Sequence, residues 1–132
     1  MLDSGTTVFD SGEWVTGGVT LQSSYANVGD GSTAVLFTIP KAKYRSGKCI
    51  IQAVSLGGAT EHCELTEFSF VHNGSEVRTI EHGTVAVGSN TMTVYEAAID
   101  STNVLINVTA DSPDDNTVQF IGTITLLHTT QV

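Results

Sequence analysis

Cys49-Ile-Ile-Gln-Ala-Val-Ser55, Glu67-Phe-Ser-Phe-Val-His72 and Glu76-Val-Arg-Thr-Ile-Glu81 decide the fold. The last two segments are joined by Asn73-Gly74-Ser75. An Asn-Gly pair between apolar, β-rich runs is a strong short hairpin signal, because both residues tolerate the positive φ of a tight turn. The whole stretch from Cys49 to Val87 lacks the 3.6-residue apolar period of an amphipathic helix.

Working outward, the same pattern repeats. Strands are expected near residues 6–10, 13–22, 33–39, 48–55, 61–72, 76–87, 92–98, 103–110 and 117–128. Gly, Asn, Asp and Ser clusters separate them. Alternation gives the faces. Val104, Ile106 and Val108 oppose Leu105, Asn107 and Thr109, while Val118, Phe120, Ile124 and Leu126 oppose Gln119, Thr123 and Thr125. Such strands are half-buried and antiparallel. The sequence therefore predicts an all-β protein: an antiparallel β-sandwich, jelly-roll-like, with eight or nine strands. Residues 33–132 form the sandwich domain, and Gly- and Ser-rich residues 1–32 an N-terminal arm or a pair of edge strands.

The core is expected to hold Phe37, Ile51, Phe68, Phe70, Val85, Val94, Ile106, Val108, Phe120 and Ile124. Cys63 and Leu65 fall on odd positions, whereas Phe68 and Phe70 fall on even ones. That parity break predicts a bulge near Thr66-Glu67. Tyr95–Ile99 has modest helical appeal, with one turn over Glu96-Ala97-Ala98, though five residues need tertiary help.

At 132 residues the chain can bury one core. Charged residues make up 14%, so Ser, Thr, Asn and Gly must supply most of the polar surface. A formal net charge of −9 argues against nucleic acid as a partner, which needs a basic footprint, and against an anionic membrane surface. Met1-Leu-Asp-Ser-Gly5 has neither a basic n-region nor an apolar h-region, so synthesis in a cytosol is expected.

Charge is segregated. Lys41, Lys43, Arg45 and Lys48 are four of the five basic residues, and no acid lies among them. One reading is a partner-binding edge that meets an acidic face. The plainer reading is a solvated edge whose lysines discourage strand pairing.

No catalytic constellation emerges. Gly-x-Ser-x-Gly is absent, and His62, His72, His82 and His128 lack metal-ligand spacing. No metal or other cofactor is expected. Asp111, Asp114, Asp115 and Asn116 crowd one loop, but without the EF-hand pattern. Cys49 and Cys63 are symmetric about Leu56 and open to pairing across a hairpin; free thiols are favoured for a cytosolic product.

Taken in order, Lys43-Tyr44, Cys49–Val54, Thr66–Gly74, Ile80–Val85 and Asn103–Thr109 resemble a β module of virion structural proteins of tailed phages, especially cyanophages. The likeness spans residues 41–128. His82 stands where the module usually has Tyr, and Ser101-Thr102 where Gly-Gly is common. The resemblance implies a non-enzymatic virion protein, made in the host cytoplasm. A capsid decoration (cement) protein bound to the major capsid protein is the first expectation. A tail-fibre or baseplate domain for host recognition is the alternative, and a small β-sandwich hydrolase or lyase a remote one. Other virion proteins are the expected partners. A homo-oligomer is also expected, with a trimer favoured.

Overall fold

A computed structural model describes residues 13–55, 61–88, 92–113 and 115–129. Among these are nine strands: β1 (Glu13–Thr16), β2 (Val19–Val28), β3 (Thr33–Pro40), β4 (Tyr44–Ser55), β5 (Cys63–His72), β6 (Val77–Val87), β7 (Thr93–Ile99), β8 (Asn103–Ala110) and β9 (Val118–His128). They form two antiparallel sheets. One has six strands in the order β1-β2-β9-β4-β5-β6, the other three in the order β3-β8-β7. The expected all-β sandwich is present. The strand expected over residues 6–10 lies outside the described residues, as does the first part of the expected N-terminal arm. Residues 13–28 contribute β1 and β2 on one side of the large sheet.

The small sheet covers the inner face of the large one. Over β9, the Phe37 ring of β3 lies so close to Gly122 that an added Cβ would approach it to 3.0 Å. Over β5, the Tyr95 ring of β7 stacks on Phe68 with centroids 4.1 Å apart. The core between the layers includes Phe37, Ile51, Phe68, Phe70, Ile106, Val108, Phe120 and Ile124, as the alternation predicted. It also takes Tyr44, Ile39, Met92, Val104, Val118 and Leu126.

Two expected core residues are on the surface. Val85 is 62% exposed and Val94 is 54% exposed. The reason is that both point away from the space between the sheets: Val85 stands opposite outward-facing Leu65 on the outer face of the large sheet. β6 overhangs the small sheet, and from Arg78 to Val87 every residue on both of its faces is exposed. Val94 sits opposite Thr109 on the outer face of the small sheet.

β5 keeps one parity throughout. Glu64, Thr66, Phe68, Phe70 and His72 point inward, and Cys63 and Leu65 point outward. The predicted parity break assumed that every apolar side chain faces the core. A bulge does occur at this level, but on the partner strand: the register passes from Glu67↔Gly83 to Phe68↔Glu81, leaving His82 as the extra residue of β6. Glu96-Ala97-Ala98 is strand, not helix, within β7. Pairing with β8 satisfies its backbone, and Ala97 packs on the core.

The β5–β6 hairpin forms as expected, with different turn chemistry. Its loop runs from Asn73 to Glu76, and Gly74 takes the positive φ of 95°. Asn73 acts through its side chain: Oδ1 accepts from the Ser75 and Glu76 amides at 3.0 and 2.8 Å. His72, buried, secures this turn to β4. Its Nδ1 accepts from the Gly74 amide at 3.0 Å, so the proton on Nε2 is donated to the Tyr44 carbonyl at 2.6 Å.

The β4–β5 register separates the cysteines. Cys49 lies opposite Phe68 and faces inward, while Cys63 lies opposite Val54 and faces outward. Both are free thiols. Burial pushes the Cys49 thiol up to about 12. Desolvation first, then the hydrogen bond to Glu61 and its charge, raises Cys63 as well. The thiolate is the reactive form. At pH 8 the native chain is therefore expected to react with an aromatic disulfide reagent slowly and at Cys63 alone, with Cys49 joining after unfolding in denaturant. Equal native reactivity of the two would contradict the inward placement of Cys49.

Candidate functional site: the outer face of the six-stranded sheet

Each residue of the basic segment makes a contact within the chain. Lys41 Nζ donates to the Gly74 and Asp100 carbonyls at 2.8 and 2.7 Å, tying two hairpin turns together. The second turn is held by Asp100, whose carboxylate accepts from the Thr102 and Asn103 amides at 2.8 and 2.7 Å. Those backbone bonds hold its carboxyl below the usual range. Arg45 reaches the His72 carbonyl at 3.4 Å. Lys43 Nζ stands 5.3 Å from the centre of the Tyr44 ring. Lys48 pairs with Glu67 at 2.7 Å, a bond that lowers the Glu67 carboxyl. The structure thus spreads the four residues over one turn and one strand and engages each within the chain.

The chemistry-bearing groups stay apart. Among the described residues no group of three or more His, Cys, Asp and Glu side chains is placed to hold a metal ion. Two polar groups in the core are structural. The Tyr44 hydroxyl donates to Thr20 Oγ1 at 3.2 Å, which in turn lies 2.9 Å from His128 Nε2. Glu64 Oε2 accepts from the Met92 amide at 2.8 Å, joining β5 to the segment before β7.

What the large sheet does assemble is a surface. Its strands place a cross-strand series of side chains outward: Tyr25 of β2, Ile121 of β9, Gln52 of β4, Leu65 of β5 and Val85 of β6 stand directly opposite one another in turn. Flanking series add Ile50, Val71, Ile80, Val87 and Leu127. Nine of the eleven large apolar side chains exposed among the described residues stand on this face; Val35 and Val94 are the other two. Scattered exposed apolar residues are ordinary, whereas a contiguous set marks a contact surface.

The face is also nearly neutral. The outward positions of β2, β9, β4, β5 and β6 carry Arg45, at the bulge that opens β4, with Lys48, Glu67 and Arg78; Lys48 pairs with Glu67, and Arg78 with Glu76 just before β6 at 2.9 Å. Three shallow depressions open on it. One of about 390 Å³ lies between Leu65, Glu67, His82 and Val85. One of about 380 Å³ lies between Gln52, Val54, Cys63 and Val87, with Glu61 and Glu64 also in its lining. The third, about 340 Å³, is bordered by Ser46, Lys48, Ser69 and Leu127. The bulge aims His82 along this face, where its Nε2 meets Ser69 Oγ at 2.7 Å.

The aromatic side chains divide by environment. Tyr25 is 72% exposed on the outer face and Tyr44 is fully buried. Tyr95 is half-buried, and its hydroxyl donates to Glu81 at 3.1 Å. The surface was missed in sequence because an outward valine and an inward one read alike. The available signal was the absence of formal charge along β2 and β9 in so acidic a chain.

No family model matches the chain, and no curated protein matches it. Among solved structures it is similar to the tailspike protein of Acinetobacter phage vB_ApiP_P1, at 16% identity and a TM-score of 0.42, over 86% of this chain and 22% of that one. It is also similar to tailspike protein gp49 of Acinetobacter baumannii bacteriophage Fri1, a capsular polysaccharide depolymerase. There the identity is 14% and the TM-score 0.45, over 96% of this chain and 21% of that one. The chain spans about a fifth of the length of either tailspike.

Proposed function

We propose that this chain is a non-catalytic structural module of a tailed-phage virion, seated in the tail as a fibre or baseplate domain that takes part in host recognition. One observation carries the reading: in an acidic chain, a broad, nearly neutral sheet face gathers nine of the eleven large apolar side chains exposed among the described residues. Such a face is suited to being covered by protein. The resemblance of residues 41–128 to a β module of tailed-phage virion proteins supplies the setting.

The tail is preferred to the capsid on physical grounds. Docking to the capsid through residues 41–48 would require free cations, yet Lys41, Arg45 and Lys48 bond within the chain. An apolar face makes its contacts with little dependence on salt. Immunogold labelling of purified particles, using antibody against this chain, tests the assignment. Gold confined to tails, and retained after a high-salt wash, is expected. Even labelling over the heads would overturn the tail assignment and restore the decoration role.

A further inference from the structure

The assembly surface leaves open what covers it. We propose that the outer face of the six-stranded sheet packs against the same face of a second copy of this chain. The inference rests on reading that face as an assembly surface, and it names the occupant.

Charge argues for a second copy. Each chain carries a net −9, so two copies repel wherever their acids meet. On this face Lys48 is neutralised by Glu67 and Arg78 by Glu76, leaving Arg45 at the start of β4 and Glu61 at the rim. Acids such as Glu96, Asp100, Asp111 and Asp115 stand on the small sheet and its connecting loops. Apposing the two large-sheet faces is therefore the arrangement that keeps those acids apart while burying the apolar series.

Size argues the same way. The five long strands run 10 to 12 residues. A ten-residue strand extends about 33 Å, and five strands span about 24 Å. The face therefore offers about 800 Å², matching what each partner contributes to a standard specific interface. Sheet-on-sheet packing with strands nearly aligned would let Tyr25, Ile121, Leu65 and Val85 interdigitate with their counterparts. Joining the copies edge to edge along β6 is disfavoured, because the His82 bulge interrupts that edge and Arg78 and Glu81 stand on it.

The test is the molar mass of the purified chain by light scattering, across about a hundredfold concentration range spanning a micromolar Kd. Wild-type chain is expected to weigh twice its 13.9 kDa at the upper end. Leu65→Lys combined with Ile121→Lys is expected to weaken association at least tenfold, with far-UV circular dichroism unchanged. Val35→Lys combined with Val94→Lys, on the opposite sheet, is expected to leave the dimer intact. A monomeric wild type throughout, or a dimer that survives the first pair and not the second, would overturn the proposal. Self-association can fail on this test while gold still marks the tails, so the two readings fall separately.

Discussion

Phe68→Ala is expected to destabilise the fold by about 3–5 kcal/mol, the range for removing a fully buried aromatic ring. Phe68 is 0% exposed, stacks on Tyr95 at an interplanar angle of 7°, and sits opposite Cys49 on β4. It links β5 to β7, hence the two layers, at the side where the small sheet ends. The cavity cannot readily collapse. β5 is held by ladders to β4 and β6, and Tyr95 is tethered through its hydroxyl to Glu81. For a chain of this length the loss corresponds to a fall in Tm of roughly 10–20 °C. Urea unfolding followed by circular dichroism measures it. A loss below about 1 kcal/mol would mean that the two layers do not meet there.

His72→Leu is expected to cost about 2–4 kcal/mol for a different reason. Leucine fills much of the imidazole's space but restores neither hydrogen bond. The Tyr44 carbonyl and the Gly74 amide would each lose a partner, at about 1–3 kcal/mol for a buried group and less where water can reach. The turn would also lose its anchor to β4, loosening the base of β6. His72→Gln is expected to recover part of the loss, since its amide N–H can be offered to the Tyr44 carbonyl. Leucine and wild-type proteins of equal stability by urea unfolding would show that the bonds to His72 contribute nothing.

These two residues mark what was legible in the sequence. Phe68 belongs to a strand whose even positions are apolar, and a period of two announces an inward face directly. His72 continues that parity, yet nothing in its own chemistry says that it is buried. Its role depends on the Tyr44 carbonyl, 28 residues away. Glu64 is hidden for the same reason, since its carboxylate serves the Met92 amide, 28 residues away on the segment before β7.

Faces were readable wherever both layers are present, as in β8 and β9. They failed at β6, whose outward positions Ile80, Val85 and Val87 are as apolar as an inner face. Val85 reads as a core residue, but it stands opposite Leu65 on the face turned away from the small sheet. Val94 fails similarly on the other sheet, because the one-dimensional pattern gives a strand two faces without saying which is inner. The basic segment shows the converse. Its composition suggested one cationic edge, while the backbone sends Lys41 to the turns and Lys48 to Glu67. The candidate surface depends on five strands from distant parts of the chain, and strand order is not written in local pattern.

The most direct measurement is a cryo-electron microscopy map of the assembled particle in which this chain is traced. The account predicts that Tyr25, Leu65, Val85 and Ile121 lie against neighbouring polypeptide within the tail, with the small sheet turned to solvent. A chain whose large-sheet face is open to solvent in the assembled particle, with its contacts made through the small sheet or through residues 41–48, would contradict it.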